Sequence, residues 1–212
     1  MEKEINVIIL GDKGIGNTSI FNRIKHGAFD EAKDNSNIND IEYFNLKRKY
    51  EKKDITISLN IKDIKNQDKY NGNIPKQYIR DNHIVILVLS NKEWLNNIKS
   101  RWYDYYKENA NIENSRFILI WYKSDEFGDQ RYEIIKKGNI LAEEIDAHFI
   151  KCSEKNNDNF DNVERYIIIE ARRFIDEVEK NLNENNNINI KIEEEMEEKV
   201  ENISRKSNCC KC

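Results

Sequence analysis

The sequence predicts an α/β sandwich on a mostly parallel, six-stranded sheet, with helices on both faces and one antiparallel hairpin at the edge. Three observations carry that expectation. Short apolar runs alternate with stretches whose apolar residues recur at helical spacing. The runs at residues 84–89 and 117–121 are apolar at every position, as in strands buried on both faces of a parallel sheet. A glycine-spaced loop joins the first run to the first helical stretch, and in such sheets ligands bind beyond the carboxyl ends of the strands.

Taken in order, residues 5–10 form the first strand, and residues 18–26 a helix with Ile20, Phe21 and Ile24 on one side, ended by Gly27. Residues 28–40, rich in Asn and Asp, read as a loop. Residues 43–50 pair with 55–61, where Ile55, Ile57, Leu59 and Ile61 alternate with polar residues, and Glu51-Lys52-Lys53-Asp54 makes the turn. A polar loop over 63–73 leads to Pro75, the only proline, and a short helix at 76–80. After the strand at 84–89, Trp94, Leu95, Ile98, Trp102, Tyr105 and Tyr106 recur at helical spacing and read as core. A strand at 117–121, a helix at 131–146, a strand at 148–152 and a helix at 162–178 complete a domain over residues 1–178.

Residues 179–212 break the pattern. Their Asn-rich and acidic composition, including Glu193-Glu194-Glu195, predicts a flexible tether. Ile192, Met196, Val200 and Ile203 offer the alternative of one face of a short helix.

The glycine loop carries the chemistry. Gly11, Asp12, Lys13, Gly14, Ile15, Gly16, Asn17, Thr18 and Ser19 follow the phosphate-cradling pattern G-x-x-x-x-G-K-[ST] at Gly11, Gly16 and Thr18, and depart from it where Asn17 replaces the lysine. Glycine lets the backbone turn through left-handed angles and bring its N–H groups up to a phosphate. The following helix adds the partial positive charge of its N-terminus. Of seven glycines in the chain, three fall within residues 11–16, which argues against an ordinary turn.

Composition narrows the class. The chain has 212 residues, enough for one packed domain and an appendage, and 35% are charged. A net charge of −4 gives no electrostatic case for nucleic-acid binding. The first residues lack a signal-peptide pattern, Glu2 excludes myristoylation, and no apolar run approaches a membrane span, which together point to the cytosol. His26, His83 and His148 show no metal spacing. Three of the four cysteines are Cys209, Cys210 and Cys212, a terminal cluster unlike a disulfide framework, whereas Cys152 reads as core.

These features, with Asp63-x-x-x-Gln67, Tyr70, Tyr78-Ile79-Arg80-Asp81, Lys123-Ser124-Asp125, Gly138-x-x-Leu141-Ala142 and Ser153-x-Lys155, resemble the Rab branch of the Ras-like small GTPases over residues 5–178 and the cysteine-rich end. The resemblance implies the P-loop NTPase fold of small-GTPase type, with GTP or GDP and Mg²⁺ as ligands. Thr18 would offer its hydroxyl to Mg²⁺ and Asp63, just past the strand ending at Ile61, would hold the ion through water. Asp125 would read guanine, Lys123 would lie along the base, and Ser153, Glu154 and Lys155 would close over it. Lys123-Ser124-Asp125 thereby disfavours a P-loop ATPase or kinase. Gln67 matches the water-positioning glutamine. Cys210 and Cys212 resemble a doubly prenylated ending, which supplies the two signals that stable anchoring needs. Escort and prenylation proteins, effectors and the cytoplasmic face of an intracellular membrane follow from the same likeness.

The departures point to weak hydrolysis in a vesicle-traffic switch, or alternatively to a catalytically dead pseudo-GTPase serving as a membrane-tethered scaffold. Asn17 removes a phosphate-binding ammonium. Tyr122 replaces the asparagine that ties the base loop to the phosphate loop. Asn66 replaces a glycine, no threonine occurs in the first switch loop, and Lys62 replaces an effector-reading aromatic. Lys13 and Lys65 are expected to face the γ-phosphate end, with Lys13 partly replacing the missing charge.

Overall fold

A computed structural model describes residues 1–26, 41–65, 70, 74–90, 95, 97–110, 115–125, 131–153 and 158–209, with backbone alone beyond residue 184. By backbone contacts the chain divides into two compact units, Met1–Arg172 and Arg173–Cys212.

The first unit is built on a six-stranded sheet. Its strands are β1 (Glu2–Leu10), β2 (Ile41–Tyr50), β3 (Ile55–Ile64), β4 (Ile84–Leu89), β5 (Arg116–Trp121) and β6 (Ala147–Lys151), in the spatial order β2-β3-β1-β4-β5-β6. Every neighbouring pair is parallel except β2 with β3, the expected edge hairpin, which turns through a 3-10 segment at Glu51–Lys53 and a left-handed Asp54. At that hairpin β2 begins two residues earlier and β3 ends three residues later than their polarity suggests, because Ile41 pairs with Ile64 and Glu42 with Asp63. Asp63 therefore sits inside β3, beside Ile9 of β1, and not beyond the strand.

Alternation along the strands sorts the helices onto two faces. Val7, Ile9, Ile61, Ile84 and Ile86 share one face through their register and are fully buried. Helix α1 (Asn17–His26) buries Ile20, Phe21 and Ile24, and Phe21 meets Phe44 of β2 edge-on with ring centroids 5.2 Å apart. The start of the last helix joins that face. Arg23 of α1 lies 5.4 Å over the Phe160 ring, and Glu164 accepts from Nε of Arg48 at 2.8 Å. On the opposite face Ile8, Leu10, Val85, Leu87, Leu89, Leu119 and Trp121 form one cluster with Ile79, Ile98, Trp102, Tyr106, Ile134 and Leu141. Those partners come from α2 (Lys76–Ile79), a π-helical turn at Ile98–Tyr103, α3 (Asp104–Asn109) and α4 (Arg131–Glu144). Each fully buried aliphatic side chain contributes about 1.5–3 kcal/mol, so these two faces hold the sheet. Gly138 lets α4 lie on β6, since a Cβ there would fall 2.5 Å from Cζ of Phe149.

Three helix readings change. The single helix expected after β4 is π-helical before it becomes α3, and Trp94 lies outside the described residues. The helix expected at 131–146 ends at Glu144. The final helix, expected over 162–178, is α5 (Phe160–Cys209) and runs through the segment read as a tether. Strong helix formers such as Glu and Lys dominate residues 191–206, and they overcome the Asn-rich stretch before them. Among the described residues no helix is long and apolar enough to cross a membrane.

Candidate functional site

The candidate site lies at the crest where β1, β3, β5 and β6 end. The phosphate loop leaves β1 at Leu10 and enters α1 at Asn17, and Gly14 and Gly16 take φ of 77° and 115°, angles that side-chain-bearing residues rarely adopt. Ile15 is buried and pins the loop from beneath, while Lys13 and Gly14 are exposed. The first helical bond runs from the Ile20 N–H to the Gly16 carbonyl at 2.9 Å, which leaves the preceding amides of the helix start for an anion.

Side chains fix the loop from three directions. Asp12 is buried, and its Oδ1 accepts from Nη1 of Arg101 at 2.9 Å and from Nε1 of Trp102 at 3.2 Å. Its carboxylate is thus spent on the π-helical turn, so Asp12 offers a phosphate only backbone. Asn17 donates from Nδ2 to the Gly11 carbonyl at 2.9 Å, and its Oδ1 is inaccessible to solvent and without a hydrogen-bond partner. The third support is Tyr122, which is buried and stacks so closely on Gly16 that a Cβ there would meet its Cε1 at 2.1 Å. A ring contact stands where the resemblance expects an amide tie between the two loops.

Thr18 and Asp63, expected as a metal pair, are brought together. Thr18 donates from Oγ1 to Oδ2 of Asp63 at 2.7 Å. Asp63 is fully buried, and its other oxygen, Oδ1, has no hydrogen-bond partner. Burial pushes its carboxyl up to about 6; the Thr18 bond and the Lys65 charge oppose that rise, and the Glu42 charge adds to it. A buried hard oxygen lacking a donor, beside a hydroxyl, fits Mg²⁺.

Lys65, expected to face the γ-phosphate end, is paired with a carboxylate. Its Nζ lies 2.8 Å from Oε2 of Glu42, whose Oε1 takes Nζ of Lys25 at 2.8 Å. The bonds to Lys25 and then Lys65 hold the Glu42 carboxyl below its usual range. Glu42 stands opposite Asp63 in the hairpin, which brings its carboxylate within reach of Lys65. Nearby, burial lowers the Lys62 amine to about 8 against the charge of Asp81, and Tyr43 remains 62% exposed.

At the base loop Lys123 is strained, with φ of 57°, and Ser124 is buried with its N–H bonded to the Cys152 carbonyl at 3.1 Å. Ser153, also buried, donates from Oγ to Oδ1 of the exposed Asp125 at 2.5 Å. Paired backbone bonds join Ser153 and Asp158 at 3.0 and 2.9 Å. An exposed carboxylate aimed by a buried hydroxyl suits the edge of a base that offers two donors. Replacing Ser153 with alanine should lower GDP affinity about fivefold, the worth of one such bond, in a titration that leaves melting temperature nearly unchanged.

Gln67, Asn66, Glu154, Lys155, Cys210 and Cys212 lie outside the described residues, and Cys152 is buried. Arg101, Trp102 and Glu42 are the members of the site that the sequence did not mark. Only the partner spacing in space reveals them, although Trp102 was legible as core.

A sequence model of the Ras family matches residues 6–192. The chain is 27% identical over 164 residues to the Ras-related protein SEC4 of Saccharomyces cerevisiae, spanning 75% of this chain and 71% of that protein. It is 28% identical over 159 residues to the GTP-binding protein ypt2 of Schizosaccharomyces pombe, spanning 74% and 76%. The Ras-related protein RABG1 of Arabidopsis thaliana is 28% identical over 200 residues, spanning 78% and 91%. With the sheet order, the phosphate loop and this match in agreement, the chain belongs to the Ras family and is a Rab-like member of it.

Proposed function

We propose that this protein is a guanine-nucleotide switch of vesicle traffic, anchored to the cytoplasmic face of an intracellular membrane and slow in GTP hydrolysis. The observation that carries the reading is the Thr18–Asp63 pair, whose hydroxyl and buried unpartnered carboxylate oxygen suit a metal ion beside the phosphate loop although Asn17 has replaced the lysine. The Asp125–Ser153 pair supports guanine as the base. A similar protein in Schizosaccharomyces pombe is named as GTP-binding.

Thr18 and Asp63 would hold Mg²⁺, which when bound neutralises charge on the phosphates. The loop amides and the α1 N-terminus bind and orient the phosphates, Asp125 and Lys123 orient the base, and Gln67 positions the attacking water. Hydrolysis is weak because position 17 adds no positive charge where negative charge develops. Cys210 and Cys212 carry prenyl chains added with the help of escort and prenylation proteins, and effectors read the nucleotide state. The domain over 1–178 switches, and 179–212 links it to the membrane.

Asn17 bonded back to its own loop favours a second reading, a pseudo-GTPase scaffold that keeps the fold without nucleotide control. Mass spectrometry of gently purified, denatured protein separates the two: released GDP or GTP supports the switch, and a nucleotide-free preparation supports the scaffold. Lys13→Ala should weaken GTP binding by about three- to tenfold in a fluorescence titration, and equal affinities would refute any role for that ammonium.

A further inference from the structure

We propose that Arg101 is a positioning residue for the phosphates of the nucleotide: reaching from the π-helical turn, it neutralises Asp12 and so keeps the phosphate loop able to take an anion. The inference rests on the loop being a nucleotide site. It begins from a carboxylate inside a segment whose amides would face phosphates. Asp12 follows the first glycine of the loop and is only 5% exposed, so water screens its charge poorly. A phosphate arriving at the loop would be repelled unless that charge were cancelled. Asn17 in place of the loop lysine makes the cancellation matter more, since the loop has one ammonium fewer.

The cancelling charge comes from far along the chain. Nη1 of Arg101 donates to Oδ1 of Asp12 at 2.9 Å, and Nε1 of Trp102 donates to the same oxygen at 3.2 Å. Consecutive residues on an α-helix point about 100° apart and do not face one target. The wider π turn at Ile98–Tyr103 narrows that angle and lets both neighbours reach one oxygen. The guanidinium is steadied by the Trp102 ring, whose centroid lies 5.5 Å from Cζ of Arg101.

The two donors divide the work. Trp102 is buried in the core cluster and anchors the turn, whereas the Arg101 side chain is 39% exposed and supplies the charge. Arg101 can therefore be replaced without opening the core. A carboxylate released from its hold would compete with the phosphates for the loop's own N–H groups, as Asp side chains do with nearby backbone. Charge and competition act in the same direction, and both disappear when position 12 carries no charge.

The test is a titration of full-length, nucleotide-stripped protein with fluorescent GDP and Mg²⁺, comparing the native chain with Arg101→Gln, Arg101→Lys and the double variant Asp12→Asn/Arg101→Gln. Thermal melting of each without nucleotide checks that it is folded. Arg101→Gln should bind about tenfold more weakly, and Arg101→Lys should recover most of that loss. The double variant should bind more tightly than Arg101→Gln and within about threefold of the native protein, because no uncompensated charge remains. A merely structural contact gives the reverse order, since the double variant has lost both sides of it. Native affinity in Arg101→Gln, a lysine variant as weak as the glutamine one, or a double variant no tighter than Arg101→Gln overturns the role of Arg101 and leaves the nucleotide switch standing. Should Arg101→Gln not fold, the double variant decides by the same threefold limit. No binding by the folded native protein overturns the positioning role and the switch together.

Discussion

Replacing Asp63 with asparagine should make the nucleotide-free protein more stable in EDTA while removing its response to Mg²⁺. The carboxyl is fully buried, and burial pushes it from 3.8 to about 6. A carboxyl whose folded value exceeds its unfolded value binds its proton more tightly in the fold, so stability present below about pH 4 is lost as pH rises through about 6. At neutral pH the ionised group costs the metal-free fold about 3 kcal/mol. Asparagine keeps an acceptor for Thr18 and carries no charge. The variant should melt roughly 6–12 °C higher than the native protein at pH 7.5 in EDTA, and the two curves should converge near pH 4. With Mg²⁺ and GDP the order reverses, since only the native protein gains the ligand, and the variant loses at least about tenfold in affinity. A variant less stable than the native protein in EDTA would mean that the Asp63 charge is already compensated within the fold.

Gly16→Ala should be among the most damaging single changes in the chain. At φ of 115° alanine is strained wherever its side chain goes, and its Cβ would enter the Tyr122 ring at 2.1 Å. The ring cannot retreat, because Tyr122 is buried and its N–H bonds the Leu89 carbonyl at 2.8 Å. A loss of about 3 kcal/mol is expected, which lowers the melting temperature by roughly 6–12 °C. Combining it with Tyr122→Ala separates the two causes. The clash disappears and the backbone strain stays, so the double variant should be less destabilised than the sum of the single ones. Additive effects would show that the ring and the loop are not in contact.

The sheet was legible because burial leaves a period in the sequence. Ile84–Leu89 and Arg116–Trp121 announce central parallel strands by apolar runs, and Ile55, Ile57, Leu59 and Ile61 announce the half-covered β3 by alternation. Glycine spacing gave the phosphate loop, since Gly14 and Gly16 occupy angles that other residues avoid. Pairings between distant residues left no such trace. Arg101 reaches Asp12 across much of the chain, and Lys65 pairs with Glu42 across the hairpin. The π-helical turn at Ile98–Tyr103 was also hidden, because a shift from the usual helical bonds hardly alters the spacing of buried residues such as Ile98 and Trp102. In α5 the Asn-rich stretch argued for a tether, and the Glu- and Lys-rich turns beyond it carried the helix to Cys209.

The claim on which the rest depends is that loop amides, the α1 N-terminus and the Thr18–Asp63 pair hold a guanine nucleotide without a loop lysine. Calorimetric titration of folded, nucleotide-stripped protein in potassium chloride with GDP, then ADP, in Mg²⁺ and in EDTA, tests it most directly. One site for GDP that weakens sharply in EDTA and is absent for ADP is the result predicted. Folded protein that gives no heat with millimolar GDP and Mg²⁺ would contradict it.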